Sequence, residues 1–259
     1  MSAVLATQAE APLLALEGVH THIGAYHILH GVDLAVPSGQ VTMLLGRNGA
    51  GKTTTLRTVM GLWPATHGTV RFSGRPIGGP AAGHALGTPQ IARLGIAYVP
   101  ESMGIFSDLS VKENMLLAAF QARAIADIDT HRLEWIFRLF PALKKFWLHP
   151  AGKLSGGQKQ MLAIARAIVE PRELLLVDEP SKGLAPAIVN NLIEALRELK
   201  AQKTTLLLVE QNFAMARALG DRVAVMDGGR VVHAGAMAAL AEDDALQHRL
   251  LGLSLGAHQ

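Results

Sequence analysis

Cysteine is absent from the 259 residues, which excludes disulfides and agrees with a reducing compartment such as the cytoplasm. Long apolar runs are missing too. No segment approaches the about 18–20 uninterrupted apolar residues that a membrane span requires. Residues 1–12 have neither the basic start nor the apolar core of a secretion signal and read as an Ala-rich flexible tail. Positive charge is present but dispersed: the formal charge of +3 and pI near 9.3 come without a basic run longer than Lys144-Lys145. A nucleic-acid partner is therefore not expected. Eleven histidines invite a metal reading, with His20 and His22 on one strand face and His27 and His30 close behind. Their spacing matches no complete zinc site, and solvated histidines are the expectation.

With 49% hydrophobic residues, a chain of this length can bury a full core. Three segments within it carry chemistry. Residues 46–53 read Gly46-Arg47-Asn48-Gly49-Ala50-Gly51-Lys52-Thr53, the pattern GxxxxGK[ST]. The run Val41–Leu45 before it suits a buried strand, and Thr53–Met60 after it is helical in pattern. Backbone N–H groups around Gly49 and Gly51 can curl about an anion, helped by the positive end of the helix that follows. Lys52 is then placed on phosphate oxygens, Thr53 offers its hydroxyl to Mg²⁺, and Thr54 follows in the same helix start.

Leu174–Val177 is an apolar run ending in Asp178-Glu179-Pro180, which reads as a buried parallel strand delivering two carboxylates to the edge of the sheet. Asp178 would hold the Mg²⁺ shell, and Glu179 would polarise an attacking water. The third segment, Ser155-Gly156-Gly157-Gln158, opens a helix whose apolar positions Met161, Leu162, Ala165 and Ile168 recur at helical spacing. It is a second helix start ready for an anion.

Residues 13–40 suit antiparallel strands broken at Gly31 and at Pro37-Ser38-Gly39. Gly78–Gln90 reads as a Gly/Ala/Pro-rich surface loop. From Ser110 the pattern turns helical, with Glu113 completing a capping box, and Trp135 and Phe140 read as core. A closing hairpin is expected around Asp227-Gly228-Gly229.

The order of the three motifs resembles the ATP-binding cassette (ABC) ATPases, and the likeness runs from about Leu13 to Gly252. It implies an α/β fold: a P-loop NTPase core with an N-terminal antiparallel β-subdomain and an inserted helical subdomain at about 102–153. The nucleotide-binding domain would then span 13–252, leaving a C-terminal tail at 253–259. It further implies ATP and Mg²⁺ as cofactors and ATP hydrolysis coupled to transport. Two chains would pack head to tail, so that Ser155 and Gly157, with Gly156 and Gln158 beside them, grip the γ-phosphate on a partner's loop. The partners implied are a second ABC ATPase, two membrane permease subunits and, indirectly, an extracytoplasmic solute-binding protein. The place implied is the cytoplasmic face of the inner or plasma membrane.

Val99-Pro100-Glu101, Ser181-Lys182-Gly183-Leu184-Ala185-Pro186 and Val209-Glu210-Gln211-Asn212 look like one of the two ATPases of branched-chain amino-acid importers. Each departs from the wider family, which mostly has Gln at 101, Asp at 185 and His at 211. A carboxylate at 101 repels a γ-phosphate unless Mg²⁺ or water intervenes, so Glu101 is expected as an outer metal contact. Gln211 either bonds the γ-phosphate, without histidine's ability to carry charge or a proton, or is a helix-start residue with no catalytic task. The lone Gln211 points to a non-identical partner that keeps histidine. Relatives place an aromatic residue for adenine where Ile23 stands, so Tyr26 either reaches the base or is a partly buried strand residue. Phe146-Trp147 either pack locally or face a membrane partner. Rival accounts are urea or amide importers, the ATPase of lipopolysaccharide export and, more remotely, a DNA-repair ATPase. The last splits these motifs across coiled coils or zinc inserts, whereas here they share one uninterrupted stretch.

Overall fold

A computed structural model describes residues 11–120 and 122–252. The expected tails lie outside these residues, except for residues 11 and 12. In chain order the strands are β1 Leu14–Ile23, β2 Tyr26–Val36, β3 Val41–Gly46, β4 Ala65–Phe72, β5 Arg75–Gly78, β6 Ile96–Val99, β7 Leu174–Asp178, β8 Thr205–Glu210, β9 Arg222–Asp227 and β10 Arg230–Ala236. The helices are α1 Lys52–Val59, α2 Thr88–Arg93, α3 Val111–Ala118, α4 Thr130–Leu139, α5 Pro141–Lys145, α6 Gly156–Ala167, α7 Pro186–Ala201, α8 Phe213–Leu219, α9 Met237–Glu242 and α10 Asp244–Leu251.

β3, β7 and β8 are buried along their whole length, as runs of Leu, Val and Met require when both faces of a sheet are covered. Alternate side chains go to opposite layers. Met43, Leu45, Leu175, Val177, Leu206 and Leu208 pack with residues of α4, α6, α7 and α8, while Leu44, Leu174, Leu176, Leu207 and Val209 pack with β1, β2 and α1. The resulting six-stranded sheet has the order β10-β9-β3-β8-β7-β6, parallel from β9 to β6, with β10 antiparallel at its edge. This order sets the ends of β3, β8 and β7 side by side, where a parallel sheet binds ligands.

The second sheet, β2-β1-β4-β5, is antiparallel throughout. Its first hairpin turns at Gly24-Ala25 rather than at Gly31. Gly31 (φ +79°) is instead an extra residue inside β2: His30 and Val32 pair with the consecutive His20 and Val19, leaving Gly31 without a partner in the register. The surface-loop reading of 78–90 is also shortened, because Thr88–Gln90 already belong to α2. That helix starts with the Gly87 amide donating to Gln90 Oε1 at 2.8 Å.

Between β6 and α6 lie α3, α4 and α5. The Ser110–Glu113 box forms as read: the Glu113 amide donates to Ser110 Oγ at 3.2 Å, and the Ser110 amide to Glu113 Oε2 at 2.7 Å. Trp135 and Phe140 are buried. Phe146 and Trp147 are half-buried against the same core, with Trp147 edge-on to Phe137, which is the local-packing alternative.

Five histidines meet on the antiparallel sheet. His27 stacks on His22 (4.1 Å between centroids), sits beside His30 (3.9 Å) and shares a 3.0 Å hydrogen bond with His20, which meets His67 edge-on. Arg230, from β10, adds positive charge to His20 and His30. His20 and His30 are held below the ordinary histidine value of 6.5 by partial burial first, then by His27 and the other nearby positive groups. The unfolded chain therefore takes up these protons more readily, so this contribution to stability is complete above pH 6.5 and declines as pH falls. The melting temperature should drop between pH 7.5 and 5.5, and His27→Gln should flatten that slope. Equal slopes for both proteins in calorimetry would show that His27 has no part in it.

Candidate functional site

The loop after β3 has a shape that only glycine permits. Gly46, Gly49 and Gly51 have φ of +145°, +82° and +103°, and a Cβ at Gly46 would run into the Met226 carbonyl oxygen. At Gly51 a Cβ would lie 2.9 Å from Leu29 Cδ2. Among the described residues, of the backbone amides from Asn48 to Thr54 only that of Ala50 donates to a protein acceptor, Arg47 O at 3.2 Å. The others are left for an anion, as a helix start that cradles phosphate requires. Lys52 is 4% exposed and folds back over this loop, donating to Gly46 O at 2.8 Å and Arg47 O at 3.0 Å.

At the neighbouring strand end, Thr53 Oγ1 donates to Asp178 Oδ1 at 3.1 Å, and the Tyr98 hydroxyl donates to Asp178 Oδ2 at 3.2 Å. Burial pushes the Asp178 carboxyl upward and these two bonds oppose the shift. Tyr98 itself is pushed up to about 12, chiefly by burial and then by the Asp178 charge. A hydroxyl and a carboxylate side by side are hard oxygen donors of the kind Mg²⁺ takes, so the residues present fit that ion.

Glu179 sits one residue on with φ +47°, a backbone shape that is costly outside glycine and turns the chain sharply at the strand end. Its Oε1 accepts from Gln211 Nε2 at 2.6 Å and lies 3.6 Å from Lys52 Nζ, while its Oε2 lies 3.4 Å from Lys182 Nζ. The same Gln211 Nε2 also donates to Asn48 Oδ1 at 2.8 Å. Asn48, Lys52, Glu179 and Gln211 thus form one connected group, with Thr53 and Asp178 beside it. Gln211 takes part in that group through its side chain.

Other expected residues lie elsewhere. Ser155, Gly156, Gly157 and Gln158 begin α6, and among the described residues no hydrogen bond joins them to 46–54. Here they make a capping box, with the Gln158 amide on Ser155 Oγ at 3.3 Å and the Ser155 amide on Gln158 Oε1 at 2.9 Å. Gly157 packs so closely on α7 that a Cβ would lie 2.6 Å from Ile188 Cγ2, whereas Gly156 faces open space. Tyr26 is 75% exposed at the hairpin tip, so it is not a partly buried strand residue. Glu101 Oε1 is held by Lys182 Nζ at 2.6 Å.

Sequence reasoning missed three residues. Tyr98 gave no signal beyond standing in a strand. Lys182 and Glu210 were visible only as members of their motifs. Glu210 is 2% exposed and accepts four hydrogen bonds, from Ser181 N and Oγ (both 2.9 Å), Gln211 N (3.1 Å) and Asn212 N (3.2 Å). It fixes the loops that present Lys182 and Gln211. Replacing Glu210 by leucine should cost about 1–3 kcal/mol by stranding those donors, read as a lower urea midpoint. An unchanged midpoint would deny it this role.

Residues 29–182 match the ABC transporter family. The chain is 38% identical over 93% of its length, and all of the relative's, to the high-affinity branched-chain amino acid transport ATP-binding protein BraG of Pseudomonas aeruginosa. It is 33% identical to the probable branched-chain amino acid transport ATP-binding protein LivF of Archaeoglobus fulgidus, over 88% of this chain and 93% of that one. Among solved structures, an ATP-binding subunit of an ABC transporter superposes with a TM-score of 0.75 at 30% identity, over 94% of this chain and 96% of the other. The cbiO1 protein of Clostridium perfringens, part of the ABC transporter complex cbiONQ, superposes with a TM-score of 0.77 at 26% identity, over 95% and 96%. The phosphate loop, the paired carboxylates and the Ser-Gly-Gly-Gln helix start lie within this shared architecture, and the chain belongs to the ABC transporter family as an ATPase subunit.

Proposed function

We propose that this chain is the ATP-hydrolysing motor of an importer for branched-chain amino acids. The observation that carries the reading is the group Asn48–Gln211–Glu179–Lys52, which places a carboxylate, an amide and an ammonium at the mouth of a phosphate loop. Lys52 turns from the Gly46 and Arg47 carbonyls to the phosphates of ATP, while the free amides of 48–54 hold their oxygens. Glu179 takes a proton from the attacking water. Gln211, donating to Glu179 and Asn48 at once, keeps that carboxylate aimed but neither carries charge nor passes a proton, so acid–base work falls on Glu179 alone. Thr53 and Asp178 would hold Mg²⁺, which when bound offsets negative charge on the phosphate oxygens. Tyr26, exposed at the tip of the β1–β2 hairpin, offers its ring to adenine.

Ser155, Gly156, Gly157 and Gln158 act on the ATP of a second, non-identical ATPase, and closure of the pair moves two permease subunits at the cytoplasmic face of the membrane. The identities to two branched-chain amino acid transport proteins over most of the chain support this cargo above urea, amides or lipopolysaccharide. Among the described residues no helix is long and apolar enough to cross a membrane, which agrees with separate permeases.

In the assembled complex, Glu179→Gln in this subunit alone should lower ATP turnover about 10²-fold; fully retained turnover would refute a working site here. Lys52→Ala should abolish ATP-driven leucine uptake into proteoliposomes. Copurified permeases that carry urea and not leucine would move the cargo assignment.

A further inference from the structure

Three carboxylates, Asp178, Glu179 and Glu101, crowd the place where a triphosphate would end, and the phosphate loop brings a single lysine. Lys182 supplies a second ammonium. Its Nζ lies 2.6 Å from Glu101 Oε1 and 3.4 Å from Glu179 Oε2, so one ammonium bridges the loop after β6 and the loop after β7. The bridge has a rigid footing. The Lys182 amide donates to Glu179 O at 3.2 Å, and the preceding Ser181 is held through both its amide and its hydroxyl by buried Glu210. Glu101 is in turn paired with Lys182 and close enough to Asp178 to act on its charge. Both carboxylates hold the ammonium in its charged form, above the ordinary lysine range.

The geometry points to Lys182 as a positioning residue for ATP: by bridging Glu101 and Glu179 it cancels the repulsion that these carboxylates would exert on a γ-phosphate, and so lets a chain with glutamate at 101 accept the triphosphate. This role rests on the nucleotide-binding function proposed above and extends it to discrimination between ATP and ADP. A carboxylate a few ångströms from a phosphate oxygen opposes binding by an amount that one intervening ammonium removes. ADP has no γ-phosphate, so its affinity should be nearly indifferent to the bridge. Glu101 and Lys182 then belong together: a neutral residue at 101 needs no counter-ion, and a carboxylate there does.

The test is equilibrium binding of ATP and of ADP to the purified full chain in EDTA, which keeps Mg²⁺ and hydrolysis out of the readout. Lys182→Met should weaken ATP about tenfold and ADP less than about twofold. Lys182→Arg should preserve both affinities, and adding Glu101→Gln to Lys182→Met should recover most of the lost ATP affinity. Thermal melting of each variant separates misfolding from lost binding. Equal losses for the two nucleotides, an unchanged ATP/ADP ratio, or no recovery on adding Glu101→Gln would overturn the bridge while leaving the nucleotide site intact. A wild-type chain that binds neither nucleotide would overturn the functional reading itself.

Discussion

Glu179 carries negative charge at the mouth of a loop built for a triphosphate, and keeping that charge buried constrains everything around it. A nearly enclosed carboxylate needs donors on both oxygens. Gln211 and Lys52 serve Oε1, and Lys182 serves Oε2. Those three side chains come from the loops after β8 and β7 and from the start of α1, the helix after β3, so the charge can be satisfied only if those strand ends stand together. The sheet order β3-β8-β7 meets that condition, and the left-handed backbone at Glu179 aims the side chain across the edge.

A second buried carboxylate underlies the first. Glu210 touches no phosphate position, yet its four hydrogen bonds tie the segment after β7 to the segment after β8. It makes the segments after β7 and β8 fixed mounts for Lys182 and Gln211. The site thus has two buried acids: Glu210, which organises loops, and Glu179, which stands at the mouth of the phosphate loop among charged donors.

The Ser155–Gln158 helix start follows a different logic. Within one chain its polar groups satisfy each other, and Gly157 allows close packing on α7, so the motif is structurally complete without any ligand. Gly156, facing open space, has no such structural requirement. A surface that leaves a glycine unpacked beside a positive helix end suits an anion brought by another molecule, which agrees with an arrangement in which two chains share each nucleotide.

Much of this was legible in residue order, because certain physical demands are local. A tight turn around an anion needs glycine at fixed offsets, a strand covered on both faces needs a run such as Leu174–Val177, and a helix start is written in Ser155 and Gln158 or Ser110 and Glu113. These made the α/β class, the phosphate loop and Asp178-Glu179 readable. Contacts between distant segments were not. Gly31 resembles a turn glycine until the pairing of β1 with β2 makes it a bulge, and Tyr98 is an ordinary strand residue until β6 lies beside β7. Glu101 gives no sign in the sequence of its partner Lys182, whose ammonium the fold places 2.6 Å away. Pairwise electrostatics depends on separation in space, and separation between residues 81 positions apart is fixed by the packing of the whole chain.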